Sequence, residues 1–248
     1  MTLVKGTARQ LVEGPALYDD GALIRTRGLT KSYRQGELEV PALRGVDLDV
    51  ADGEFTALAG PSGSGKTTLL NLIGALDKPT GGTIEVAGRD IRGLGKGEAA
   101  DFRLAHVGFV FQAYNLVPVL TAYENAEVTL LLRGEESERR RGVVRPLLER
   151  VGLGDMMDRK PHELSGGQQQ RVAIVRALAT DPRLVLADEP TANLDSGTSE
   201  GLLDLMAELN AELGTTFLFS THDPVVIDRA RRVVDLHDGR VHRTRIDP

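Results

Sequence analysis

The apolar run Phe55–Ala59 is followed by a glycine-rich stretch, and then by Leu69, Leu70, Leu72, Ile73 and Leu76 at helical spacing. That order predicts strand, loop, helix. Val107–Phe111, Leu184–Ala187 and Thr216–Ser220 are three more continuous apolar runs, and Leu202, Leu203, Leu205, Met206, Leu209 and Leu213 mark a helix before the last of them. Continuous apolar strands alternating with helices imply a parallel sheet buried on both faces, the core of an α/β fold.

Two regions depart from this alternation. Between Leu23 and about Val50, short β-like runs separated by turn residues predict an antiparallel β edge ahead of the main sheet. Between about Ala113 and Ala179 the pattern is helical, over Tyr123–Leu132, Glu138–Val151 and Gly166–Ala179, which predicts a helical subdomain inserted into the core. The chain is thus expected to divide into an α/β core, 22–112 and 180–248, around a helical subdomain, 113–179. Residues 1–21 follow neither period, are broken by Gly14-Pro15 and Asp19-Asp20-Gly21, and are expected to form a poorly ordered extension. Val233–Leu236 and Val241–Arg243 flank His237-Asp238-Gly239-Arg240 and predict a terminal hairpin. The charge run Glu135–Arg141 fits a solvated helix start with its acids first.

Composition narrows the function. The 248 residues contain no cysteine, so disulfides, thiol nucleophiles and thiolate metal sites are ruled out, and a cytosolic setting is expected. The net charge of -6 and the scattered arginines and lysines argue against a nucleic-acid partner. Apolar-rich runs such as Val128–Leu132 are far shorter than the ~20 residues that span a bilayer, so membrane contact is expected only through a partner.

Gly60-Pro61-Ser62-Gly63-Ser64-Gly65-Lys66-Thr67, with Thr68 after it, fits the phosphate-binding loop pattern, placed after a strand and before a helix as that pattern requires. The glycines let backbone N–H groups close around phosphates, the helix N-terminus adds partial positive charge, Lys66 neutralises, and Thr67 offers a hydroxyl to Mg²⁺. Leu184–Ala187 ends in Asp188 and Glu189. Adjacent carboxylates at the end of a buried strand are costly unless a cation compensates. Asp188 then supports Mg²⁺, and Glu189 is placed to polarise an attacking water. Alone, Gln112 or His222 would read as a satisfied polar residue. Yet the four apolar runs end at Gly60, Gln112, Asp188 and His222, and in an open α/β sheet all such positions face one crevice.

Leu164-Ser165-Gly166-Gly167-Gln168 reads as a capping box, with Ser165 as N-cap and Gln168 three residues on. Two glycines in a first turn weaken a helix by roughly 1 kcal/mol each, which suggests close approach to that backbone. A second anion site, beside a chain's own phosphate loop, points to a nucleotide held by another copy.

Together GPSGSGKTT, Gln112, LSGGQ, LVLADEP, Asn193-Leu194-Asp195 and His222-Asp223 resemble the motif set of ABC transporter ATPases, in the family's order, over roughly Leu23 to Arg243. The resemblance implies a P-loop ATPase that closes head to tail as a homodimer over two ATPs and drives a separate transmembrane permease subunit from the cytoplasmic face of the membrane. It implies Tyr33 as the adenine platform, Gly63 to Thr67 as the phosphate cradle, and Thr67, Gln112 and Asp188 as the Mg²⁺ shell. Glu189 is implied as general base and His222 as its link to the γ-phosphate. Ser165, Gly166 and Gly167, in the LSGGQ stretch that is the family's signature, are implied to contact the opposite subunit's nucleotide, with Asp195 in the loop joining the two sites.

Gly74–Gly82, Asn115–Pro118 and Pro190–Asp195 resemble the branch serving lipoprotein release, macrolide efflux and peptide-antibiotic resistance, although Ala192 stands where many members carry glycine. Export or extraction is the leading expectation. A mechanotransmitting ATPase that regulates a cell-envelope process without moving solute shares every motif. A soluble phosphotransferase or DNA-maintenance ATPase is disfavoured by LSGGQ, by the acidic balance and by the lack of a long coiled-coil insertion between Gln112 and Leu164. The segment Ala113–Thr121 is rich in apolar residues but fits neither period, and Pro118 blocks a continuous helix. In the family this region lies beside the groove that receives the permease, so Leu116 and Val119 are expected docking residues.

Overall fold

The computed structural model describes residues 10–13 and 21–246. Its main sheet is built on four parallel strands named by the apolar runs: β4 (Phe55–Ala59), β7 (Val107–Val110), β8 (Leu184–Asp188) and β9 (Thr216–Thr221). With β1 (Gln10–Glu13), β10 (Arg232–His237) and β11 (Arg240–Ile246) the order is β1-β11-β10-β4-β9-β8-β7. Strands β10, β4, β9, β8 and β7 run parallel, and β11 and β1 add an antiparallel edge.

Alternate side chains of these strands enter two cores, as the pleat requires. On one face Phe55, Phe217 and Phe219 pack together, with the Phe55 ring centroid 5.8 Å from Phe217 and 4.9 Å from Phe219. Their neighbours are the buried residues of α3 (Ala122–Leu132), α4 (Ser137–Arg150), α5 (Gly166–Leu178), α6 (Ser196–Leu213) and α7 (Pro224–Arg229). The helices α3 to α5 thus share a core with the sheet. On the other face Leu58, Leu186, Leu218 and Val234 meet α1 (Lys66–Ile73), α2 (Lys96–His106) and a second sheet.

That second sheet holds the antiparallel strands expected between Leu23 and Val50. They are two continuous strands, β2 (Ala22–Gln35) and β3 (Leu38–Ala51), bent by several irregularities of register. With β5 (Gly81–Val86) and β6 (Arg89–Asp90) they form a separate sheet in the order β3-β2-β5-β6. The short runs of the sequence are one strand read across its bulges, because each bulge shifts the side-chain period by one.

Three expectations need correction. Leu76 lies beyond the end of α1 and is exposed, since the helix stops at Ile73 and caps on Gly74. Within the expected N-terminal extension, Gln10–Glu13 pairs antiparallel with β11, which completes the open edge of the hairpin; residues 1–9 and 14–20, on which the rest of that expectation falls, lie outside the described residues. Glu135–Arg141 is more than a solvated helix start: Arg140 donates to Glu127 of α3 at 2.8 Å and to the Glu135 carbonyl at 2.6 Å, and so ties α4 to α3.

Candidate nucleotide site

The strand register carries the site. Ala59 pairs with Thr221 and Asp188 with Ser220, so the C-terminal ends of β4, β8 and β9 lie side by side, with β7 next to β8. A cleft of about 550 Å³ opens there, lined by Pro61, Ser62, Gly63, Gly65, Lys66, Thr67, Thr68, Gln112, Glu189 and His222, with Ala42 and Ala192 beside them. The strand ends converge on one crevice, and of the four residues expected there Gln112 and His222 line it, whereas Gly60 and Asp188 touch it through their bonds to Lys66 and Thr67.

The loop after β4 leads straight into α1, whose N-cap Gly65 has φ 105° and no side-chain cap. A Cβ at Gly65 would lie 2.8 Å from the Ala42 carbonyl, so the turn requires glycine in both conformation and space. The uncapped first turn leaves N–H groups free to meet an anion. Lys66 is buried, and its Nζ donates to the carbonyls of Gly60 at 2.7 Å and Pro61 at 3.1 Å.

Opposite the loop, the acids are held individually. The Thr67 hydroxyl donates to Asp188 Oδ1 at 3.1 Å, and the Ser220 hydroxyl donates to the same oxygen at 2.5 Å. Ser220 Oγ also accepts the N–H of Glu189 at 3.0 Å. Glu189 has φ 47°, a left-handed conformation that costs a non-glycine residue about 1–3 kcal/mol. Its Oε1 lies 2.9 Å from His222 Nδ1 and 3.8 Å from Lys66 Nζ. The carboxylate is therefore aimed across the mouth of the loop between two nitrogen groups.

Of the remaining expected residues, Gln112 lines the cleft, and its carbonyl accepts from Asn193 Nδ2 at 2.9 Å. Tyr33 does not line the cleft itself. It is 38% exposed on β2, its hydroxyl donates to Asp77 Oδ2 at 3.0 Å, and Lys31 Nζ lies 4.8 Å from its ring centroid. Burial, and then the Asp77 contact, raise its pKa, against the effect of a hydrogen bond with Thr68 that places it beside the cradle. Burial opposes ionisation of Asp77, but hydrogen bonds from Lys31, Lys78 N and Tyr33 hold its pKa below the usual carboxylate value.

The segment Ser165–Gln168 and Asp195 are brought to each other rather than to this cleft. Ser165 and Gln168 form the expected capping box at the start of α5, with Ser165 N–H donating to Gln168 Oε1 at 2.8 Å. Asp195 caps α6, accepting from Thr198 N at 3.0 Å and Thr198 Oγ1 at 2.6 Å; these bonds lower its pKa. The glycines have an explanation within the chain. A Cβ at Gly167 would lie 2.4 Å from Thr198 Cγ2, and one at Gly166 would lie 2.8 Å from the Tyr114 hydroxyl. Packing of α5 on its own neighbours already excludes larger residues. Ser165 itself is exposed.

Sequence reasoning missed Ser220 and Ala42. Ser220 is the polar end of an otherwise apolar run, two residues before His222, but its contact with Asp188 follows only from the pairing of β8 with β9. The docking segment also separates. Leu116 is half-buried and packs against the core, whereas Val119 is 72% exposed. Buried Asn125 shapes this loop, accepting from Val117 N at 2.7 Å and donating to the carbonyls of Val117, Leu120 and Thr121.

Comparison with known proteins agrees with this geometry. A family model described as ABC transporter matches residues 43–192. The lipoprotein-releasing system ATP-binding protein LolD of Anaeromyxobacter dehalogenans is 51% identical over 219 residues, 88% of this chain and 92% of that protein. The macrolide export ATP-binding/permease protein MacB 1/2 of Paracoccus denitrificans is 49% identical over 219 residues, but the chain spans only 33% of its length. Among solved structures, the dimeric bacterial ABC transporter cassette MJ0796 superposes with a TM-score of 0.83 at 44% identity, covering 89% of this chain and 97% of that one. A post-hydrolysis dimer of MJ0796 with ADP and Pi superposes with a TM-score of 0.82 at 43% identity, over the same shares.

Proposed function

The chain belongs to the ABC transporter family and is an ATP-binding, ATP-hydrolysing cassette, and from that premise we propose that it powers a separate membrane permease by closing as a homodimer over ATP. The observation that carries the reading is the placement of Glu189, fixed through its N–H by Ser220 and through its carboxylate by His222, at the mouth of a phosphate loop.

In this reading, Lys66 and the N–H groups at the start of α1 bind the phosphates, and Lys66 exchanges its carbonyl partners for phosphate oxygens. Glu189 accepts a proton from the attacking water, and His222 holds the carboxylate in line for that transfer. The donors near Asp188 suit Mg²⁺: Thr67 and Ser220 bring hydroxyl oxygens to its carboxylate, Gln112 adds an amide oxygen, and hard oxygen donors are what this ion prefers. Bound there, Mg²⁺ would neutralise charge on the β- and γ-phosphates.

Dimer closure is supported by exposed Ser165, which lies outside its own chain's cleft, and by the dimeric form of the solved cassettes. A separate permease is supported by the lipoprotein-releasing relative, an ATP-binding protein of which the chain covers 92%; the macrolide exporter is an ATP-binding/permease protein that joins both parts in one chain. The names of these relatives favour export or extraction, with a lipoprotein or a macrolide drug as cargo, and the motif resemblance extends the class to a lipid or peptide. No helix among the described residues is long and apolar enough to cross a membrane, and we assign the chain to the cytoplasmic face, held there by the permease.

The test separates binding from turnover. Lys66→Ala should remove most ATP affinity, whereas Glu189→Gln should keep binding, lose phosphate release and become dimeric with Mg-ATP by light scattering. Equal loss of ATP binding in both variants, or a strictly monomeric Glu189→Gln protein at saturating Mg-ATP, would overturn the reading.

A further inference from the structure

Tyr114 and Asn115, two and three residues after Gln112, stand consecutively in the left-handed region, with φ 58° and 51°. The left-handed region is costly for a side chain as bulky as tyrosine, so the turn needs support beyond its own bonds from Tyr114 N to the Phe111 carbonyl and from Asn115 N to that of Ala113. The holder is Arg176, near the C-terminal end of α5. Its guanidinium donates to the Asn115 carbonyl at 2.6 Å and to the Tyr114 carbonyl at 2.8 Å. Among the described residues it has no carboxylate partner, and burial lowers its pKa. The two carbonyls are thus its chief compensation for burial.

Tyr114 also reaches the other end of the same helix. Its hydroxyl lies against Gly166, in the first turn of α5, roughly 15 Å along the axis from Arg176. One residue therefore touches both ends of α5, through its backbone at one end and its ring at the other. One further bond sets the same helix against the segment after β8, Gln170 Nε2 donating to the Pro190 carbonyl at 2.7 Å, and that segment in turn holds Gln112, whose carbonyl accepts from Asn193 Nδ2 at 2.9 Å.

From this geometry we propose that Arg176 is a positioning residue that locks Ser165–Gly167 to Gln112 as one rigid unit. The proposal rests on the homodimer reading above. In that dimer Gln112 serves the chain's own nucleotide and Ser165 the partner's, so the lock joins the two ATP sites. Without it, a chain binds ATP normally but presents its signature turn in the wrong place, and closure suffers.

The experiment uses the full chain carrying Glu189→Gln, with and without Arg176→Gln or Arg176→Lys. Binding of a fluorescent ATP analogue is measured below the dimerisation concentration, and the dimer dissociation constant at saturating Mg-ATP by sedimentation. Arg176→Gln should leave monomer binding within about twofold while weakening the dimer by about tenfold or more, the equivalent of losing one charged hydrogen bond. Arg176→Lys, which keeps the charge and can satisfy one carbonyl, should fall between, and it carries the comparison if Arg176→Gln does not fold. Unchanged dimerisation in the Arg176 variants, or loss of nucleotide binding in parallel with dimerisation, would overturn the proposal. A Glu189→Gln parent that itself fails to dimerise would overturn the homodimer reading and the proposal with it.

Discussion

The methyl group of Thr198 occupies the space that a side chain at Gly167 would need, and it ties the first turn of the signature helix α5 to the first turn of α6. A Cβ on Gly167 would sit 2.4 Å from Thr198 Cγ2. Gly167→Ala should therefore destabilise the protein by about 1–3 kcal/mol, the usual cost of overpacking. Adding Thr198→Ser should restore most of the loss, because serine removes the methyl but keeps the hydroxyl bond to Asp195. Urea unfolding midpoints of the single and double variants check this; a double variant no better than Gly167→Ala would refute the steric account.

Ser220 supports both acids of the site, donating to Asp188 and accepting the N–H of Glu189. Ser220→Ala leaves that N–H without its partner at a left-handed residue. The expected result is a fall in kcat on the order of 10- to 100-fold from misplacement of the base, with a stability loss of about 1–3 kcal/mol. KM for ATP should change far less, since the phosphate loop is untouched. Steady-state kinetics with a denaturation curve distinguishes this from simple unfolding, which would lower the active fraction alone.

Trans action of Ser165 is testable by mixing. Lys66→Ala and Ser165→Arg homodimers should each be nearly inactive, yet a mixed dimer contains one composite site with an intact loop and an intact signature. Phosphate release should return in the mixture. Recovery of none, with heterodimers shown to form by differential tagging, would place the signature's action within its own chain.

Val119 and Leu116 should differ as docking residues. Val119 is largely exposed on the loop after Gln112, whereas Leu116 packs against the core. Val119→Asp should leave the ATPase activity of the isolated chain within about twofold, as expected of a surface change, and abolish co-purification with the permease. Leu116→Asp should lower thermal stability as well, because it sets a charge in a half-buried apolar contact with the core. Intact co-purification of Val119→Asp would move the docking surface elsewhere.

The chemistry was legible in sequence because it is local. The phosphate loop needs glycines, lysine and threonine at fixed spacing between a strand and a helix, and Asp188-Glu189 after an apolar strand has no comfortable buried alternative to a site. Continuous apolar runs placed β4, β7, β8 and β9, which are buried on both faces, and helical periodicity placed the main helices, which are long enough to show it. Strand β2 was harder to read, because bulges break the alternation that identifies a strand. Ser220 at Asp188, Thr198 at Gly167, and Arg176 at Tyr114 and Asn115 could come only from tertiary structure. Each joins residues 31 or more positions apart in the chain, and that distance is closed by the order of strands in the sheet and by the packing of α5, which no local pattern encodes.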